Sequence, residues 1–278
     1  MNKKNVIVAA LLGIAFLYSL VLSAGATAPS VRVDRGKSAL DKLHLVNLAH
    51  ENNPKRTPGF PGDPKFTLTT SFTVPEDGFY LQYIKEGEHT GTHWAAPCHF
   101  RKGAACADDL WPRDLYLPAV VVDVRAKAED PDYEVTIADL KTFEARYGRI
   151  PRGAAVIAWT GWDRKWGTPA YFNFDSEGNL HQPGFSLRSV RWLLRTQRLD
   201  RRGALGTDTF GPDPGTDTNY RASSLLLRRH RIDLENLTRL GQLPPIGAYI
   251  LVGGPINDKG SGSTATIWGL VPPSPAPE

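Results

Sequence analysis

A single α/β domain is the fold the sequence predicts, on three observations. Two largely apolar runs, Leu115 to Val124 and Ala154 to Trp162, read as strands buried on both faces. Amphipathic helical stretches are interspersed with the strand-like segments. The 278-residue length is enough for one large core and shows no internal repeat.

The elements follow in order. An apolar run from Val6 to Leu22 behind Lys3 and Lys4, then Ser23-Ala24-Gly25-Ala26, reads as a signal peptide over residues 1–26, cleaved after Ala26. Export to the periplasm or the extracellular space is the expectation, with no membrane attachment after cleavage. Residues 27–40 read as a linker, 41–272 as the domain and 273–278 as a Pro-rich tail. Leu43 to His50, Phe66 to Val74 and Gly78 to Ile84 carry strand patterning, with a Pro/Gly/Asn-rich loop from Glu51 to Lys65. Thr136 to Tyr147 is a helix capped by Thr136, with Ile137, Leu140, Phe143 and Tyr147 on one stripe. Ser186 to Thr196 and Ala222 to Arg229 are further helices. Gly247 to Val252 and Thr264 to Leu270 close the domain as strands.

Composition excludes some functions. The net charge is +4, and the arginines at Arg201-Arg202 and Arg228-Arg229 lie among acids, so no nucleic-acid stripe forms. Gly260-Ser261-Gly262 does not open a helix, so no nucleotide cofactor is indicated. Trp94, Trp159 and Trp162 either line an aromatic pocket or fill core. Cys98 and Cys106 are the two cysteines, and three readings stay open: a disulfide, a free buried thiol, or a Cys98 thiolate serving as ligand or nucleophile.

Chemistry concentrates between His89 and His99, which hold three of the seven histidines. Imidazole is the commonest metal ligand and titrates near neutrality. On one extended strand His89 and His93 would lie about 13 Å apart, too far to share an ion. Gly91 and Pro97 argue against a helix. The segment therefore bends, at Gly91.

This stretch resembles the H-x-G-T-H-x-D-x-P-x-H signature of the cyclase family of metal-dependent hydrolases, matched at His89, Gly91, Thr92, His93, Pro97 and His99. Further resemblances run through Thr160-Gly161-Trp162, His181 to Ser186, Gly206 to Thr209, Asp213 to Gly215, Glu235-Asn236-Leu237 and Gly260 to Gly262. The resemblance implies a swivelling β/β/α architecture and a homodimer or homotetramer. It implies His89, His93 and Glu235 as candidate ligands of one divalent metal, zinc or manganese, and His99 as the candidate general acid/base; Thr92 either contacts substrate or orients a ligand or, with Gly91, only shapes the bend. Two positions depart from the pattern. Ala95 stands where the family has a metal-binding Asp, and Ser223 where it has a second-site His. Cys98, His181 and Asp208 are candidate substitutes. The expected activity is hydrolysis of an amide, cyclic amide or lactone in a small-molecule substrate by a metal-activated water. The departures make the kynurenine formamidase activity itself a poor match. The alternative is a catalytically decayed small-molecule binding protein on the same fold.

Overall fold

The computed structural model describes residues 38–273, so the signal segment and most of the linker and tail lie outside the described residues. Residues 39–273 belong to one compact unit. Its strands are β1 (His44–Asn47), β2 (Thr67–Phe72), β3 (Leu81–Lys85), β4 (His93–Ala95), β5 (Tyr116–Asp123), β6 (Glu134–Val135) and β7 (Ala155–Trp159). They continue with β8 (Gly184–Phe185), β9 (Ala204–Thr207), β10 (Ile232–Glu235), β11 (Ile246–Val252), β12 (Gly262–Thr264) and β13 (Ile267–Val271). Its α-helices are α1 (Val74–Asp77), α2 (Ile137–Tyr147), α3 (Leu187–Arg195) and α4 (Arg221–Leu226). None of them is long and apolar enough to cross a membrane.

Nine strands form one curled sheet in the order β1-β13-β11-β5-β7-β9-β10-β4-β12. The central β5, β7, β9 and β10 run parallel, and the flanking pairs are antiparallel. Alternation sends side chains to opposite faces, and both faces are apolar. One face wraps its own core from Val46, Trp94, Leu117, Ile157, Leu234 and Ile267. The other, carrying Val120, Val156 and Leu205, is covered by Leu140 and Phe143 of α2, Leu193 of α3 and Leu226 of α4. That double burial is why the central strands read as continuous apolar runs.

Local chemistry sets the helix ends. Thr136 accepts from the Asp139 amide, and Asp139 returns the bond to the Thr136 amide, closing a capping box at α2. Gly148 ends the same helix at a φ of 91°. Ser186 caps α3 through the Ser189 amide.

Three expectations need correction. The closing strand breaks at Ala265-Thr266 into β12 and β13. The strand into Trp162 stops at Trp159, because the Asp208 carboxylate draws in the Thr160 amide and hydroxyl and the Trp162 amide. Strands β4, β9 and β10 have no counterpart among the expected elements, and β4 and β10 build the site.

Candidate functional site

Gly91 makes the turn that the histidine spacing demands. Its φ is 62°, and an added Cβ would sit 2.0 Å from Asn52 Oδ1, so glycine is required by conformation and by space. The chain then enters β4, which pairs with β10 so that His93 faces Glu235 and Ala95 faces Asp233. Past Ala96, a 3-10 turn over Pro97–His99 places His99, whose amide donates to the Ala96 carbonyl. The rings of His89 and His99 lie 4.1 Å apart, and those of His89 and His93 5.0 Å. The three predicted histidines and Glu235 thus come together on one wall of a cavity of about 960 Å³. Phe60, Phe100, Phe174, Phe210 and Tyr220 also line it, together with polar residues that include Asp63, Asp175, Asp213 and Asp217.

Hydrogen bonds fix which nitrogens are free. His93 Nδ1 lies 2.9 Å from the Gly91 carbonyl, an acceptor only, so Nδ1 carries the proton. Its Nε2, fully buried, sits 3.0 Å from Glu235 Oε2 but outside hydrogen-bonding alignment. Ser261 donates its one hydroxyl proton to Glu88, so it accepts from His89 Nε2, and the free lone pair of His89 is on Nδ1.

Electrostatics divides the histidines. Burial opposes a charge on His93, but Glu235 and then the Gly91 carbonyl outweigh it and raise its pKa. Burial, reinforced by His93 and His99, pushes His89 far down. Burial also lowers His99, against the pull of Glu235. Burial thus disfavours a charge on His89 and His99, whereas the Glu235 side chain favours one on His93. Across the cavity, burial raises Asp63, with Glu235 adding to the effect.

The donor chemistry fits a divalent cation. Imidazole lone pairs freed by hydrogen bonds at the opposite ring nitrogens, beside a carboxylate, are the ligands zinc and manganese take. The misaligned, buried His93 Nε2 is the observation that points to it. Among the described residues, however, no three His, Cys, Asp or Glu side chains already converge to hold an ion.

Several predicted residues are committed elsewhere. Thr92 donates to the Asn236 carbonyl and accepts from the His50 amide, so it holds the bend and does not reach the cavity. Cys98 is bonded to Cys106, which removes the thiolate as ligand or nucleophile. His181 sits between Asp132 and Asp175 at the rim. Asp208 is buried under three donors of the Thr160–Trp162 turn, and burial lifts its pKa to about 6. Ser223 donates to Asp213, which also accepts from the Ala222 and Ser223 amides and so holds the start of α4. Trp94 and Trp162 are core. Trp159 lies under the Arg125 guanidinium. The cavity's aromatics are instead phenylalanines and a tyrosine, scattered from residue 60 to residue 220 with no shared pattern.

The cyclase family profile matches residues 46–214, which span both β4 and the histidine cluster. The chain belongs to the cyclase family. This cyclase is 32% identical over 219 residues to the isatin hydrolase of Roseibium aggregatum, an alignment covering 75% of this chain and 82% of the relative. It is 28% identical over 241 residues to the kynurenine formamidase of Salinibacter ruber, covering 84% of this chain and all of that one. In three dimensions it superposes on isatin hydrolase A from Labrenzia aggregata, bound to benzyl benzoate. The TM-score is 0.78 at 26% identity, with 85% of this chain and 97% of that one covered. Isatin hydrolase and kynurenine formamidase are hydrolases by name, and this chain is accordingly a hydrolase of the cyclase family.

Proposed function

We propose that the chain is an exported cyclase-family hydrolase that opens an aromatic cyclic amide, as its isatin hydrolase relative does by name. The observation that carries this reading is three histidines and Glu235 on the wall of an aromatic-lined cavity. His89 and His93, with Glu235, are the residues that would hold one divalent cation. Such an ion supplies an acidified water and a polarised carbonyl.

The chain's own groups do the rest. His99 is neutral and therefore able to take a proton from the attacking water and return it to the leaving nitrogen. The Glu88–Ser261–His89 chain fixes the His89 tautomer and ring plane. Phe100 packs against His99 with ring centroids 4.5 Å apart, and against Tyr220 at 5.6 Å. Together they offer a flat substrate aromatic faces to stack against. A homodimer, supported by an exposed apolar hairpin described below, and export, supported by the basic and apolar start of the chain, complete the proposal.

The test is metal content of the purified protein after dialysis against metal-free buffer, followed by hydrolysis assays on isatin and related lactams. About one zinc or manganese per chain with lactam opening supports the reading. No metal and no turnover after adding either ion overturns it in favour of a binding protein on an inherited enzyme fold.

A further inference from the structure

A second cavity, of about 900 Å³, opens where the parallel strands β5 and β7 end at Asp123 and Trp159. In open α/β sheets, ligands bind in the crevice beyond such carboxyl ends. This cavity shares no lining residue with the histidine cavity, and the two differ in charge. Asp63, Asp175, Asp213, Asp217 and Glu235 line the histidine cavity, with no lysine or arginine among its described lining residues. The second cavity carries five cationic side chains against three acids.

Two of the five cations are matched. Arg125 forks onto Asp123 through Nε and Nη2, and Lys127 pairs with Asp139. Glu129 is the remaining acid, and Arg146 lies over the Tyr147 ring. The side chains of Arg164 and Lys165 have no ion pair or hydrogen bond among the described residues. Yet they crowd one turn with Arg125. Gly161 takes a φ of 77° there, and an added Cβ would lie 3.3 Å from Arg125 Cγ and 3.8 Å from Arg164 Cζ. Glycine thus leaves room for both arginines. Indole faces hold the other ends of the cluster. Arg125 Cζ lies 3.6 Å from the Trp159 ring centroid, and Lys165 Nζ 3.1 Å from that of Trp162. Burial lowers the Lys165 pKa, with no carboxylate to offset it. Cations gathered beyond the acids that match them repel one another and favour an anion among them.

We infer that the Gly161 turn binds the anionic group, carboxylate or phosphate, of a small organic molecule seated in this second cavity. The Arg164 guanidinium supplies a fork that matches either oxyanion, and Lys165 a point charge. Arg125 adds Nη1, the terminal nitrogen that Asp123 leaves free. Phe143 and Tyr147 of α2, with Trp159, give the organic body an apolar wall.

Titration calorimetry of the purified chain tests it with two probes, inorganic phosphate and benzoate, in about 0.15 M sodium chloride to screen diffuse attraction. One anion per chain is expected to bind. Tighter binding of benzoate supports a site for an aryl carboxylate, and tighter binding of phosphate supports one for a phosphate group. Arg164→Gln with Lys165→Met removes both unmatched charges while keeping side-chain length. It should weaken binding at least about tenfold, the loss of one or more charged hydrogen bonds, with the thermal midpoint unchanged. No binding of either probe by the unaltered chain overturns the inference, as does binding that the double variant leaves unchanged. Either failure leaves the hydrolase reading intact, because neither residue lines the histidine cavity. If the double variant fails to fold, Arg164→Gln alone, at an exposed position, decides by the same comparison.

Discussion

His50 shows how burial at one residue becomes a property of the fold. Its ring stacks on Trp166 at 4.0 Å, nearly parallel, and its buried Nε2 has no partner. Burial, with Arg239 adding to it, pushes the pKa down from 6.5 to about 4. The unfolded chain therefore binds this proton more readily than the folded one. Stability from His50 is complete above pH 6.5 and is lost as pH falls towards 4, by on the order of 3 kcal/mol. His50→Phe keeps the stacking and removes the titration, so thermal melts from pH 4 to 7 should show a flatter decline for the variant than for the unaltered chain. An equal decline in both would show that the charge on His50 is not what the fold resists. His99 gives the catalytic counterpart. With burial holding it neutral, its loss should remove proton transfer and little else. His99→Gln is expected to lower kcat about 100- to 10,000-fold with bound metal and thermal midpoint unchanged. A variant that keeps its kcat assigns the proton transfer to another group.

At the scale of elements, the disulfide and the strands of the site differ in how far they could be read from sequence. The Cys98–Cys106 bond closes a short loop beside His99, anchored by the Cys98 amide donating to the Ala105 carbonyl. Chain-entropy arguments for a loop of this size give about 2–3 kcal/mol. The Cys98→Ser, Cys106→Ser pair should lose about that much in a denaturant melt, and a melt that does not move would show the loop to be held without the bond. The capped helices and the long buried strands β5 and β7 were legible, because their signals are local: Thr136 three residues before Asp139, and apolar runs of strand length. Strands β4, β9 and β10 were hidden because they are only three or four residues long, and their residues resist a strand reading. Gly206 interrupts β9, and Asp233 and Glu235 break the apolar pattern of β10. The bend at Gly91 and the grouping of His89, His93 and His99 were readable from spacing. The pair Asp233 and Glu235 left one usable trace, because a spacing of two on a strand puts both acids on one face. The aromatic lining left none, since residues as distant in sequence as Phe60 and Tyr220 come together only in the folded chain.

For the whole molecule, the hairpin of β2 and β3 is the feature a single chain does not explain. The pair is hydrogen-bonded only to itself, apart from the nine-stranded sheet. Phe79, Tyr80, Leu81, Tyr83 and Ile84 are all between 45% and 63% exposed, and every residue of β3 is exposed. A two-stranded hairpin is marginally stable in water by itself, and a contiguous apolar patch on a soluble protein commonly marks an association surface. Covering it against a second copy would bury the exposed aromatics and give the lone hairpin a packed face. The Leu81→Lys, Tyr83→Lys pair places two charges at the centre of that patch without touching the main sheet. Native mass measurement is expected to find a dimer for the unaltered chain and a monomer for the variant, with the monomer still folded. A dimer that survives both lysines places the subunit contact on another surface and leaves the hairpin to a different partner.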